Sequence, residues 1–454
     1  MKILLANPPV AGRFLVRRGN YCSDTSKARY REPPVDLVIL SGILSGHELS
    51  YIDGILPGTS AEECYEAARN VDAVVLVMSF VARENDIAFV RELRRRHPQL
   101  IIVAGGDVVR FEGRQFMRDC PELDALLLDY TTASLPRFLN GETGELKNLI
   151  RREETERSTD PVMERDRFNI PVPRHELFMD ARYMSAIAIH RRQAITVMSF
   201  GCPSHCTFCA FETIPYKLRE LESAKAEMRH IRELGFQDIH FADATFVASP
   251  KWSKEFLEFM ADEIRLPWWC STRADNLDED LIKLMKRAGC HSITIGVETA
   301  SDAVNDRFQK KTCVDQTRSA FALCRRYGIR ILGHFIVGLP GETIESTRAT
   351  INYAIELDPF YASFNLAEPM AGTSFGKEYR ERHGLDAKQE PALTHCFAEK
   401  VSGLTYEQAR DLRNEAVRRF YFRPRKIAQT LLSARSAFEV EKIMANGLEL
   451  LRRH

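Results

Sequence analysis

Three cysteines, Cys202, Cys206 and Cys209, sit at C-x3-C-x2-C spacing in the stretch Gly201-Cys202-Pro203-Ser204-His205-Cys206-Thr207-Phe208-Cys209. The apolar run Ala194-Ile195-Thr196-Val197-Met198-Ser199 leads directly into them and reads as a strand. Three thiolates in one short loop can each take an iron of a cubane cluster, leaving the fourth iron open to an exogenous ligand. A zinc site would want four nitrogen or sulfur ligands, usually as two separated pairs, and neither a partner pair nor a histidine pair lies nearby. Buried structural thiols are the bland alternative; the compact triplet is more specific than a lone C-x-x-C.

The triplet needs a scaffold, and the sequence offers one on either side. The chain has 454 residues, enough for two or three domains with a buried core. Its 63 basic and 63 acidic residues balance, so composition carries no broad electrostatic footprint for nucleic acid. The opening apolar run Ile3-Leu4-Leu5-Ala6 is too short for a signal segment, and no apolar stretch reaches the roughly 20 residues of a spanning helix. A cytoplasmic protein without a membrane span is expected. Of its 11 cysteines, those outside the triplet are scattered singly, as reduced thiols would be.

From residue 194 onward a strand–helix alternation repeats, with strands expected at 194–199, 238–243, 268–272, 292–297, 330–336 and 361–366. Six parallel strands, each followed by a helix or loop, predict a partial (β/α)6 barrel whose active groups lie at the carboxyl ends of the strands. Candidates there are Asp243, Arg273, Glu298 and the turn Gly338-Leu339-Pro340-Gly341-Glu342. Each acid or arginine has an ordinary reading as a helix cap or an ion-pair partner.

Residues 1–145 alternate short apolar runs with helical patterns, which predicts an α/β fold, a doubly wound parallel sheet covered by helices on both faces. The expected strands are 2–6, 49–53, 73–78, 100–104 and 125–128, with helices at 35–45, 61–70 and 83–96. Loops at the carboxyl ends of such strands form the ligand crevice. They carry Asn7 and Pro8, Asp53, the segment Ser79-Phe80-Val81-Ala82-Arg83, the turn Gly105-Gly106-Asp107, and Asp129-Tyr130-Thr131. Residues 146–192, charged and weakly periodic, read as a connector; 193–375 are assigned to the barrel, and 376–454 to a mostly helical C-terminal region.

The triplet, with the aromatic Phe208 before its third cysteine, resembles that of the radical S-adenosylmethionine (SAM) enzymes. The resemblance implies a 4Fe-4S cluster on Cys202, Cys206 and Cys209. It places SAM against Phe208, Asp243, Arg273, Glu298, Ile336 and Gly338. Here Phe241-Ala242-Asp243-Ala244-Thr245-Phe246 is similar to the second-strand motif near the methionyl amine, with Ala244 in place of its usual second acid. Arg273 suits the methionyl carboxylate, Gly296-Val297-Glu298-Thr299 the ribose, and Gly333-His334-Phe335-Ile336-Val337-Gly338 the adenine. The N-terminal pattern resembles the cobalamin-binding domain that precedes many such enzymes, implying cobalamin, as methylcobalamin, held by Asn7, Pro8, Phe80, Val81, Arg83, Gly105, Gly106, Asp107 and Tyr130. No D-x-H-x-x-G run is present to give cobalt a histidine ligand. The usual Gly-Glu-Gly-Glu turn is replaced by Asp129-Tyr130-Thr131-Thr132.

Together these resemblances imply a cobalamin-dependent radical SAM C-methyltransferase acting on an unactivated carbon, supplied with electrons by a small donor such as flavodoxin or ferredoxin. The two-domain build is similar to that of relatives that methylate a glutamine side chain of methyl-coenzyme M reductase, so the expected substrate is a protein or peptide. A cyclase or rearrangement enzyme of lipid, tetrapyrrole or natural-product biosynthesis is the enzymatic alternative; an iron–sulfur electron-transfer or assembly protein is the other. No second cysteine triplet precedes residue 194 and no strand-rich RNA-binding module follows the barrel, which weighs against the transfer-RNA methylthiotransferases.

Overall fold

The run Ala73-Val74-Val75-Leu76-Val77-Met78 has no polar side chain, and every one of its residues is buried. Such a run forms a strand only where both faces of a sheet are covered. The structure, a computed structural model, describes residues 1–10, 16–18, 31–157, 163–370, 372–384 and 402–453. It has two units: Met1–Ala186 with Ala194–Val197 and Lys217–Phe236, and Ile187–Gln193 with Met198–Tyr216 and Gln237–His454. Residues 158–162 of the expected connector and 385–401 of the expected helical region lie outside the described residues.

In the first unit the chain runs β1 (Lys2–Asn7), α1 (Val35–Ile43), β2 (Glu48–Asp53), α2 (Ala61–Ala67), β3 (Ala73–Met78), α3 (Arg83–Arg96) and β4 (Ile101–Gly106). It continues through α4 (Asp107–Glu112), α5 (Arg114–Asp119), β5 (Ala125–Leu127), α6 (Ser134–Leu139) and β6 (Leu149–Arg151). The sheet order is β2-β1-β3-β4-β5-β6. Consecutive strands β1 and β2 step one way from the centre while β3 to β5 step the other, so the topology reverses between β1 and β3. Ligands of doubly wound sheets bind at such a point. The pairs are parallel from β2 through β5, as expected. Strand β6 was not expected: it pairs antiparallel with β5. Its Leu149-Ile150-Arg151 is too short and too close to charge to announce a strand by alternation, and its backbone is ordered by the open edge beside it. The core packs Val74, Leu76, Ile102 and Ala104 against Phe89, Val90 and Leu93 of α3 and Phe116 of α5.

The chain then passes through β7 (Gln193–Thr196), β8 (Ser199–Phe200), β9 (Lys217–Leu218) and α7 (Leu221–Glu233). The alternation follows as β10 (Asp238–Phe241), α8 (Pro250–Phe259), β11 (Trp268–Thr272), α9 (Glu279–Arg287), β12 (Cys290–Glu298), α10 (Asp302–Arg307), α11 (Val314–Arg326), β13 (Arg330–Val337), α12 (Ile344–Leu357), β14 (Tyr361–Leu366) and α13 (Ser374–His383). The second sheet has the order β14-β13-β12-β11-β10-β7, with parallel pairing from β10 to β14. That is the expected open array of six. Along β13, Ile331, Gly333, Phe335 and Val337 are buried and alternate with half-buried residues. Phe335 stacks on Phe364 of β14 at 5.2 Å, and Phe364 meets Phe420 edge-on. Phe420 belongs to α14 (Tyr406–Tyr421), so the buried face packs on helix and leaves Leu332, His334 and Ile336 on the other. The expected strand 194–199 stops at Thr196 because the Met198 amide donates to the Asp243 carboxylate.

Helices α15 (Pro424–Leu432) and α16 (Ala437–Arg453) complete the C-terminal region. Among the described residues no helix is long and apolar enough to cross a membrane.

Candidate functional site

The cysteine loop opens on Gly201, whose φ is +75°; a Cβ there would lie 2.3 Å from the Pro215 carbonyl oxygen. Only glycine fits this left-handed turn, which starts the loop. Cys206 O then accepts from the Cys209 amide at 2.9 Å, closing a tight turn between the second and third cysteines. Polar groups face the sulfurs: the Ser204 amide donates to Cys202 Sγ at 3.5 Å, Thr245 Oγ1 lies 3.4 Å from the same sulfur, and Arg273 Nη1 donates to Cys206 Sγ at 3.6 Å. Burial pushes the Cys206 thiol up, with Lys310 and Arg273 pulling it down, and burial pushes Cys209 up to about 12. Cys202 and Cys206 both lie within electrostatic range of Cys209.

This donor set suits an iron–sulfur cluster. Three soft sulfurs share one loop, an amide and a guanidinium donate to them and the Thr245 hydroxyl lies beside one, the kind of hydrogen bonding that tunes such clusters. Among the described residues no group of three His, Cys, Asp or Glu gathers as ligands of a single ion.

Around the loop stand the expected strand-end residues, in arrangements the sequence did not disclose. Asp243 is fully buried and accepts from the Met198 amide with both oxygens at 3.1 Å, and from Ser199 Oγ at 2.6 Å. Burial raises its carboxyl to about 7 against those bonds. Asp243 thus clamps the residues just before the cysteine loop. Arg273 forks onto Asp275 at 2.9 and 2.7 Å and donates to Thr312 Oγ1 at 2.8 Å and to the Lys310 carbonyl.

Glu298 sits at the end of β12 with a left-handed φ of +66°, where the register with β13 shifts. Its Oε1 accepts from Lys310 Nζ at 2.6 Å. Gly338, φ +82°, and Leu339 both donate their amides to Glu342 Oε2 at 3.0 Å, and Thr299 Oγ1 donates to Glu342 Oε1 at 2.8 Å. Burial raises the Glu342 carboxyl to about 6. Phe208 and Ile336 pack on one apolar cluster that includes Phe308, Val337 and Leu339, with Phe208 edge-on to Phe308 at 5.8 Å. The structure therefore brings Cys206, Arg273, Glu298 and Lys310 into one electrostatic neighbourhood, and Phe208 and Ile336 into one patch. Lys310 and Thr245 were not read from the sequence. Thr245 lay two residues past a quoted motif acid, whereas Lys310 had no signal beyond its charge.

In the first unit the expected crevice residues all fall at the carboxyl edge of the sheet. Asn7 Nδ2 donates to Asp53 Oδ1 at 2.8 Å, and Arg18 Nη1 donates to Asn7 Oδ1 at 2.9 Å and to Pro8 O at 2.8 Å. The Arg18 guanidinium also pairs with Asp86, both side chains fully buried. Tyr51 and Tyr183 hydroxyls donate to Asp53 Oδ2 at 2.9 and 2.7 Å, and burial raises the Asp53 carboxyl. Phe80 donates its amide to Asp107 Oδ1 at 3.2 Å and stacks on Phe111, while Val81 is half-buried. Arg83 is taken up by Glu112, Glu84 and Asp119. Gly105, Gly106 and Tyr130 line a small cavity at the ends of β3, β4 and β5.

Comparison with known proteins bears on the fold and on the family of the second sheet. Residues 196–354 match the model of the radical SAM superfamily. An uncharacterised methyltransferase of Pyrococcus horikoshii is 26% identical over 95% of this chain and 95% of its own length; the next curated relative matches over only 41% of its own length. Among solved structures, the radical SAM methyltransferase TsrM of Kitasatospora setae, with tryptophan and a SAM analogue bound, superposes with a TM-score of 0.66. It is 20% identical and is matched over 84% of this chain and 76% of its own. The cobalamin-dependent SAM radical enzyme OxsB, with aqua-cobalamin and SAM bound, superposes with a TM-score of 0.71 at 15% identity, over 98% of this chain and 72% of its own. The chain therefore carries a radical SAM domain over residues 196–354.

Proposed function

We propose that the protein is a cobalamin-dependent radical SAM methyltransferase that transfers a methyl group to an unactivated carbon. The observation that carries this reading is the joining, in one chain, of the cysteine loop with a doubly wound sheet whose topology reverses between β1 and β3, a build with the overall fold of TsrM and OxsB. Cysteines 202, 206 and 209 would hold the cluster, the strand-end groups around Glu298 and Arg273 would hold SAM, and the carboxyl edge of the first sheet would hold cobalamin. When bound, these cofactors supply radical and methyl-transfer chemistry.

The chain's own part is positioning. Asp243 fixes the backbone that leads into the cysteine loop. The Glu298–Lys310 pair and the Arg273 fork present charge of both signs beside the sulfurs, where a zwitterionic amino-acid group can be oriented. Phe208 and Ile336 supply an apolar wall that excludes water. At the first sheet, Gly106 has φ +112° and a Cβ there would lie 2.0 Å from Met78 O. The close approach is to the end of the neighbouring strand β3, so only glycine fits at this end of β4. Electrons would come from a small donor of the flavodoxin or ferredoxin type. For the acceptor we carry forward a glutamine side chain of methyl-coenzyme M reductase, which rests on the resemblance of the two-domain build.

The test is incubation of the anaerobically reconstituted full chain with methyl-labelled SAM, a reductant and cell extract. The reading expects a labelled acceptor heavier by one CH2, with one S-adenosylhomocysteine and one 5′-deoxyadenosine released per methyl transferred. Deoxyadenosine without a labelled acceptor supports a cyclase instead, and neither product supports an electron-transfer protein. Peptide mapping of the labelled acceptor decides the glutamine assignment.

A further inference from the structure

Helix α1 begins under the carboxyl edge of the first sheet with Val35 and Asp36, and Asp36 is 3% exposed. An acid in the first turn of a helix complements the helix dipole, but that role is met equally well at the surface, where water completes the carboxylate's hydrogen bonds. Here Asp36 Oδ1 is buried with no hydrogen-bond partner. Buried polar groups in folded proteins are nearly always paired, so an orphan asks for a reason.

The cavity beside it supplies one. Asp36 lines it together with Gly105, Gly106, Arg110 and Tyr130, two of which sit on the glycine turn that ends β4. The remaining wall is aliphatic, from α1 and the ends of β3 and β5. Arg110 Nε donates to the Leu128 carbonyl at 3.2 Å, which holds the guanidinium at this rim. At the neighbouring strand end the Ser79 hydroxyl, fully buried, is a second oxygen without a partner. Burial raises the Asp36 carboxyl to about 6, with Arg110 lowering it and Asp107 and Asp129 raising it; near neutral pH it is an acceptor. The cavity is small, and its lining sets one unmet acceptor and a cation among aliphatic side chains, which suits the donor-bearing tip of an uncharged arm rather than its whole length.

We propose that Asp36 is a ligand-contacting residue of the first unit, its free oxygen accepting a hydrogen bond from a donor-bearing arm of bound cobalamin. The proposal rests on the cobalamin reading above. The donor is a primary carboxamide of the corrin rim or a hydroxyl of the nucleotide arm, and cobinamide, which keeps the carboxamides and lacks the nucleotide, separates the two.

The experiment titrates hydroxocobalamin and cobinamide into the full chain by absorbance, and records the thermal midpoint of the corrinoid-free protein. Asp36→Leu, close in size but without an acceptor, is expected to weaken cobalamin binding about tenfold, the loss of one hydrogen bond to a charged group. Its corrinoid-free midpoint should be unchanged or higher, because an unmet buried oxygen has been removed. Asp36→Asn, which keeps an acceptor, should bind within about threefold of wild type. A loss shared by cobinamide assigns a carboxamide, and a loss confined to cobalamin assigns the nucleotide arm. Asp36→Leu binding cobalamin as wild type does would overturn the proposal, leaving the oxygen to water; so would weakened binding that tracks a fallen midpoint in Asp36→Leu and Asp36→Asn alike. Should Asp36→Leu fail to fold, Asp36→Ala is read in its place by the same criteria. Wild type binding neither corrinoid overturns the cobalamin reading, and the inference with it.

Discussion

Lys310 Nζ donates to Glu298 Oε1 across 2.6 Å, with the two side chains 8% and 10% exposed. Glu298 holds this contact from a left-handed backbone at a strand end, a conformation that costs about 1–3 kcal/mol in a non-glycine residue and persists only where its surroundings enforce it. Strain of this kind, beside the cysteine loop, is the observation on which the pair is placed in the proposed site.

Removing one partner of a buried pair leaves an unpaired charge, at a cost of about 3–5 kcal/mol. Lys310→Met is therefore expected to lower the thermal midpoint and to depress 5′-deoxyadenosine formation at least about tenfold through lost positioning. Adding Glu298→Gln to it should restore much of the midpoint and none of the deoxyadenosine. Calorimetry and product chromatography on the two variants separate the structural from the functional part. Full recovery of both would sink the assignment.

Each thiolate of the triplet is expected to hold its own iron, so Cys202→Ala, Cys206→Ala and Cys209→Ala should each abolish the reconstituted cluster. Gly201→Ala places a Cβ against the Pro215 carbonyl in a turn that disfavours any side chain. It should lower cluster content while leaving all three ligands in place. Iron and sulfide analysis after anaerobic reconstitution checks both.

The elements legible in the sequence were those whose own residues decide them. Strands 73–78, 268–272 and 361–366 appear at the expected positions because β-branched, aromatic and apolar runs bounded by turns leave few alternatives. Strand β6 did not, since its pairing is set by a neighbour's open edge. The site divides the same way. Spacing singled out the cysteines, because three thiols this close in sequence can face one cluster. Spacing could not show that Asp243 spends its carboxylate on Met198 and Ser199, or that Arg273 forks onto Asp275, because side-chain direction at a strand end is a tertiary matter. Lys310 was hidden beside Lys311, where a charge pair reads as solvated surface, and Asp36 looked like any acid in a first helical turn.

In the first unit, Glu227 of α7 is buried between His175 Nε2, at 2.7 Å, and the Arg219 guanidinium. Burial pushes its carboxyl up, but Arg219 and His175 outweigh it and hold it at about 2. A carboxyl depressed from its ordinary 4.5 contributes stability above that value and loses it as pH falls toward 2. The contribution is on the order of 3 kcal/mol, at about 1.4 kcal/mol per pKa unit. Glu227→Gln should lower the midpoint at pH 7 and flatten its acid limb below about pH 4.5, as thermal scans across that range would show.

Asp243 titrates the other way. Its carboxyl is raised by burial from 3.8 to about 7, so between those values the folded chain holds a proton that the unfolded chain has released. Stability then falls as pH rises through the window, by about 1.4 kcal/mol per pH unit for this one group. Asp243→Asn cannot ionise and is expected to remove that part of the slope between about pH 4 and 7, visible as the difference between the variant's and the wild type's midpoints. Burial also raises Asp36 and Glu342, each to about 6, so a shallower slope of the same sign should persist in the variant. The same substitution replaces one of the two oxygens that accept from the Met198 amide, which loosens the backbone entering the cysteine loop. Cluster content after reconstitution should fall with all three cysteines intact. A variant with the wild-type slope and full cluster content would show that the clamp neither titrates in this range nor orders the loop.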